Sequence, residues 1–126
     1  MNYWEKRKKA FTYAGQGIRR FFKEEAHAQI HLIMAVLVLI SGFIFKLNRL
    51  EWLIVLLCIG IVMMAEMINS AIENVVDLVS PEKKELAGKA KDLAAGAVLV
   101  ASIIAACIGL ILFVPKALLL ISSIVN

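Results

Sequence analysis

MMAEMINSAIENVVD, residues 63–77, places four polar side chains, Glu66, Asn69, Glu73 and Asp77, at the end of a long apolar run. The fourteen residues before Glu66, Trp52 to Ala65, are all apolar or small. Intervals of three, four and four then separate the polar residues. On a helix at about 100° per residue, Asn69, Glu73 and Asp77 fall near −60°, −20° and +20° from Glu66, an arc of about 80°. One narrow stripe therefore carries three acids and an amide. A solvated helix end accounts for Asp77, but not for Glu66, which follows an apolar run of membrane character. Ionisable groups in such a place are costly and mark function.

The surroundings of this stretch predict a membrane protein. The chain has 126 residues, 61% hydrophobic and 19% charged, with a mean hydropathy of +0.83. A soluble domain of this size could not bury so much apolar side chain. Cys58 and Cys107 both lie inside apolar runs and read as small hydrophobes rather than a disulfide. No cleavable leader is legible, because the first thirty residues lack an apolar core followed by a small-residue cleavage site.

The expected fold is all-α: an N-terminal amphipathic surface helix followed by three transmembrane helices. The surface region is placed at residues 1–26. The spans are placed at 29–46, 51–79 and 82–114, the last with a cytoplasmic extension. Spans of about 20 residues are needed to cross a bilayer. Pro115 is expected to kink the chain, with the apolar tail either extending the third helix or lying at the interface. Ser80-Pro81 reads as a stop and restart, with Ser80 as an N-cap and Pro81 in the first turn. Ala97, Ala101, Ala105 and Gly109 form a small-residue stripe suited to helix packing.

Basic residues set the orientation. Lys6, Arg7, Lys8, Lys9, Arg19, Arg20 and Lys23 precede the first span, and Lys46 and Arg49 occupy the first loop. Lys83, Lys84, Lys89 and Lys91 follow the second span, and Lys116 is alone after the third. This alternation predicts a cytoplasmic N-terminus and second loop. Trp4, Phe11 and Ile18 recur every seven residues among basic ones, a pattern for the surface of an anionic leaflet and not for nucleic acid.

The block SPEKKELAGKAKD, residues 80–92, brings Glu85 and Asp92 onto one face of the next helix, with Lys91 alongside. Acids and a lysine there can oppose the stripe of the second span. Facing carboxylates suit Mg²⁺, and a lysine beside them suits nucleotide phosphates. Gly88-Lys89 is not a phosphate-binding P-loop, since neither the preceding glycine nor a following Ser or Thr is present. His27 and His31, four apart, have no third ligand nearby and do not make a zinc site. Residue chemistry alone leaves cation transport and phosphoryl transfer both open.

The segments AEMINSAIENVVD and KKELAGKAKD together resemble the prokaryotic diacylglycerol kinase family, whose pattern is E-x-x-N-[ST]-A-I-E-x-x-x-D followed by E-L-x-G-x-A-K-D. The resemblance covers nearly the whole chain. It implies a trimeric membrane lipid kinase in the bacterial inner membrane, using ATP and Mg²⁺, with sites shared between subunits. Carried over by position, Glu66 is the catalytic base and, with Asn69, borders the lipid alcohol. Glu25 and Glu73 become metal ligands that also contact nucleotide. Arg19, Asn69, Asp77, Glu85, Lys91 and Asp92 complete the nucleotide site. Members specific for diacylglycerol carry an acid six residues after the position of Glu25; here that position is His31, within AQIHL. This feature is similar to the undecaprenol kinase branch, although EEAH stands where that branch has ERN. The implied reaction is phosphorylation of undecaprenol, with diacylglycerol as the alternative substrate.

Overall fold

The computed structural model describes residues 1–125. They form four helices in chain order: α1 (Tyr3–Glu24), α2 (Ala26–Ile44), α3 (Arg49–Val79) and α4 (Glu85–Val125). The last three are long and apolar enough to cross a membrane. Most of their large apolar side chains are exposed in the single chain, as expected of helices that meet lipid or other subunits rather than water.

Each junction has a local chemical cause. Glu25 adopts an extended backbone (φ −99°, ψ 114°) and separates α1 from α2. Gln29 Nε2 donates to the Phe22 carbonyl across this break (3.3 Å). Helix α2 ends with two nested bonds, from Leu47 N–H to the Gly42 carbonyl (3.0 Å) and from Lys46 N–H to the Phe43 carbonyl (3.2 Å). This Schellman closure needs a left-handed residue, and Lys46 takes that conformation at φ 51°. Asn48 and Glu51 then cap α3 reciprocally. Glu51 N–H donates to Asn48 Oδ1 (3.0 Å), and Asn48 N–H donates to Glu51 Oε2 (2.8 Å).

Helices α2 and α3 meet along a seam of small residues. Ala28, Ala35 and Gly42, seven apart, are the buried residues of α2. Opposite them, α3 buries Val55, Val62 and Glu66. At one end of the seam the approach is tight. A methyl group at Gly42 would lie 2.7 Å from Trp52 Cη2, and that ring also packs on Phe43 at 4.8 Å.

Helices α3 and α4 are tied at both ends. Lys116 Nζ meets Glu51 Oε1 at 3.0 Å, and Lys91 Nζ bonds Asp77 Oδ1. From Glu51 to Asp77, α3 rises about 39 Å, more than a hydrocarbon core of about 30 Å. The two ion pairs therefore bracket the apolar slab.

One local reading of the sequence changes, at the start of α4. Helix α4 begins at Glu85 and not at Pro81, because Ser80 Oγ donates to the Glu82 carbonyl (3.1 Å) instead of capping a helix. The Lys84 carbonyl accepts the first bond, from Gly88 N–H (3.0 Å). At Pro115 the tail takes the first of the two expected courses, and α4 continues through the proline to Val125. Of the small-residue stripe, Ala97 is exposed in the single chain and Ala101, Ala105 and Gly109 are half-buried, while Ala94 outside the stripe is the buried residue of α4. A methyl at Gly109 would touch nothing within 4 Å.

Candidate functional site

Glu66 is the buried charged residue of the described chain, 6% exposed. It sits about 22 Å along α3 from Glu51 and about 16 Å from Asp77. That depth lies between the two bracketing ion pairs, on the apolar side of the stripe. A carboxylate there needs a partner, and α2 supplies one. His31 Nε2 lies 2.9 Å from Glu66 Oε1.

The other stripe residues climb from Glu66 toward the end of α3 with rising exposure. Asn69 and Glu73 are half-buried and Asp77 is exposed. Asn69 Nδ2 donates to Glu73 Oε1 (3.1 Å). Asn69 Oδ1 is buried and has no hydrogen-bond partner among the described residues. A buried carbonyl without a donor normally has an explanation. An amide oxygen beside a carboxylate is an oxygen-donor set that a hard divalent cation accepts, so these residues fit Mg²⁺. Among the described residues no three His, Cys, Asp or Glu side chains gather as a ligand shell. The described residues of one chain thus offer two oxygen-donor side chains here, Asn69 and Glu73, and not a full shell.

Of the other expected site residues, Lys91 joins the stripe through Asp77. Glu25 is half-buried at the α1–α2 break, Arg19 is exposed on α1, and Glu85 and Asp92 are exposed near the start of α4. No side-chain hydrogen bond or ion pair among the described residues links these four to the stripe.

His31 is the site residue that reading the sequence did not place beside Glu66. A signal was available. His31 lies three residues after Ala28 and four before Ala35, on the same helix face as the small residues that let α2 approach α3.

An apolar cavity of about 300 Å³ opens between α2, α3 and α4. Ala35, Val55, Val62, Ala105 and Gly109 contribute to its wall. His31 also lines it, so the cavity reaches the residue that holds Glu66. Cys58, half-buried, lines it as well, and both it and exposed Cys107 are free thiols.

A buried acid, an oxygen-donor pair beyond it and a lysine bonded to exposed Asp77 form a polar path along α3. Comparison with known proteins gives this path a lineage. The family described as "Prokaryotic diacylglycerol kinase" matches residues 12–113. Undecaprenol kinase of Bacillus subtilis (strain 168) is 44% identical over 108 residues, 86% of this chain and 88% of that protein. Diacylglycerol kinase of Synechocystis sp. is 37% identical over 110 residues, 86% of this chain and 63% of that protein. Diacylglycerol kinase of Escherichia coli (strain K12) is 33% identical over 97 residues, 77% of this chain and 80% of that protein. The matched region contains the break at Glu25, the whole stripe and the ion pair at Lys91, and the chain belongs to the prokaryotic diacylglycerol kinase family.

Proposed function

We propose that this chain is a membrane lipid kinase that moves the γ-phosphoryl group of ATP to the hydroxyl of undecaprenol. One observation carries the reading: Glu66, a buried carboxylate at the start of a polar stripe that ends at exposed Asp77, is bonded to His31, which lines an apolar cavity. The 44% identity to an undecaprenol kinase supports the choice of alcohol. Diacylglycerol is the second candidate, supported by the relatives of that name.

In the proposed reaction the lipid lies in the membrane with its hydroxyl at Glu66. Glu66 accepts the hydroxyl proton as the lipid oxygen attacks phosphorus. A new lipid O–P bond forms, and the bond from the γ-phosphorus to the β,γ-bridging oxygen breaks, releasing ADP. The proton leaves Glu66 for water before the next turnover. Catalysis of this kind is mostly positioning and charge neutralisation.

Asn69 borders both substrates, about one turn beyond Glu66. Glu73 and Glu25 would hold Mg²⁺, which when bound neutralises phosphate oxygens. Lys91, pre-positioned by Asp77, contacts phosphate as a cation. Arg19, Glu85 and Asp92 border the rest of the nucleotide.

The setting is a bacterial cytoplasmic membrane with the N-terminus and the α3–α4 loop inside, following the basic residues. Helix α1 lies on the inner leaflet as an amphipathic helix. Trp4, Phe11 and Ile18 are exposed in the single chain and enter the headgroup region, with the lysines and arginines toward anionic lipid. The chain works as a homotrimer with each site shared between subunits, which supplies the ligands that one chain lacks.

The test presents Mg-ATP and equal mole fractions of undecaprenol and diacylglycerol in one mixed micelle, and follows phosphate transfer to each. Preference for undecaprenol is expected. Preference for diacylglycerol overturns the choice of substrate, and transfer to neither by an intact, folded protein overturns the kinase reading.

A further inference from the structure

We propose that His31 is a positioning residue for the reaction: it holds one oxygen of Glu66 so that the other faces the lipid hydroxyl. The proposal rests on the kinase reading above.

The geometry is asymmetric in a useful way. His31 Nε2 lies 2.9 Å from Glu66 Oε1, and among the described residues no hydrogen bond or ion pair takes Oε2. An ionised carboxylate only accepts, so Nε2 carries the proton toward it whatever the charge of the ring. The Glu66 side chain is 8% exposed and that of His31 25%. The ring is thus the more exposed partner of the pair. It is also part of the cavity wall between α2, α3 and α4, so the hydrogen bond that orients Glu66 is made at the place a lipid chain would reach.

The contact runs between two helices. Both partners are inside helices, and buried Ala28 and Ala35 flank His31 on the α2 seam. Val62, buried one turn before Glu66, backs the acid from α3. Small side chains at the seam fix the helix separation that lets an imidazole span it. Without the ring, Glu66 has no fixed rotamer and must seek another polar partner. A displaced base loses turnover more than it loses nucleotide binding.

The test compares His31→Leu, His31→Gln and His31→Asn with the wild type, using undecaprenol and Mg-ATP in mixed micelles. Glutamine and asparagine keep a side-chain N–H donor and leucine does not. His27→Leu is the control, because His27 is exposed one turn away on α2. His31→Leu is expected to lower kcat by about tenfold to a hundredfold with KM for ATP changed less than about twofold. At least one amide variant recovers most of the loss, and His27→Leu stays within about twofold of wild type. A second readout needs no turnover: ¹⁵N signals of the His31 ring in wild type should shift on Glu66→Gln, and those of His27 should not. The proposal is overturned if His31→Leu keeps wild-type kcat, if neither amide variant recovers a folded protein's activity, or if the His31 signals ignore Glu66→Gln. A wild-type chain that phosphorylates no lipid alcohol sinks the kinase reading itself. An active wild type with an indifferent His31 sinks only this inference.

Discussion

Gly42→Ala measures how closely α2 must approach α3. The added methyl would lie 2.7, 3.0 and 3.1 Å from Cη2, Cζ2 and Cζ3 of Trp52. Carbon atoms rest about 3.5–4.0 Å apart, so the ring must move by about 1 Å. Phe43 packs against the same ring at 4.8 Å between centroids and limits that retreat. Overpacking of this kind costs about 1–3 kcal/mol. Replacing a helical glycine by alanine returns about 0.5–1 kcal/mol through backbone entropy. The single substitution should therefore destabilise by up to about 2 kcal/mol. In a Trp52→Leu background the outer ring atoms are gone and only the entropy term remains. There Gly42→Ala should stabilise by about 0.5–1 kcal/mol. The coupling between the two positions is the clash itself, about 1–3 kcal/mol. Denaturant titration of the four proteins in one micelle, followed by helical circular dichroism, measures it. Equal effects of Gly42→Ala in both backgrounds, within about 0.5 kcal/mol, would refute the close approach.

Three further outcomes are expected. Lys46→Gly should raise stability by about 1 kcal/mol, since the residue at φ 51° pays for a left-handed backbone that glycine adopts freely; thermal unfolding in micelles checks it. Lys91→Met should raise KM for ATP by about tenfold or more, whereas Lys116→Met, which breaks the pair with Glu51 at the other end of α3, should leave both kinetic constants unchanged. Glu73→Gln should raise the Mg²⁺ concentration for half-maximal activity by about tenfold or more, measured by titrating Mg²⁺ at fixed ATP.

Helical periodicity made the stripe from Glu66 to Asp77 visible, because all four residues lie on one unbroken helix. The opposition of Lys91 and Asp77 was also within reach, since a short loop forces α3 and α4 to run antiparallel. The contact between His31 and Glu66 was not, because register between two helices is a tertiary property. Composition showed an interface histidine; only the packing of Ala28 and Ala35 against α3 aimed it at the acid. A local signal misled at one junction. Ser80-Pro81 has the chemistry of a helix start, but the serine hydroxyl turns to the Glu82 carbonyl and α4 begins later. Beyond Pro115 the sequence left the tail open between a continued helix and an interfacial segment, and α4 carries on through the proline, since a membrane offers the backbone no better alternative than a helix.

Glu66→Gln is the measurement that tests the account most directly. Glutamine matches the size of the acid, and its carbonyl oxygen still accepts from His31, but the amide takes up no proton at neutral pH. The variant should keep its helical content and its KM for ATP. Its kcat for undecaprenol should fall by at least about a hundredfold. A folded Glu66→Gln protein with near wild-type turnover would contradict the account.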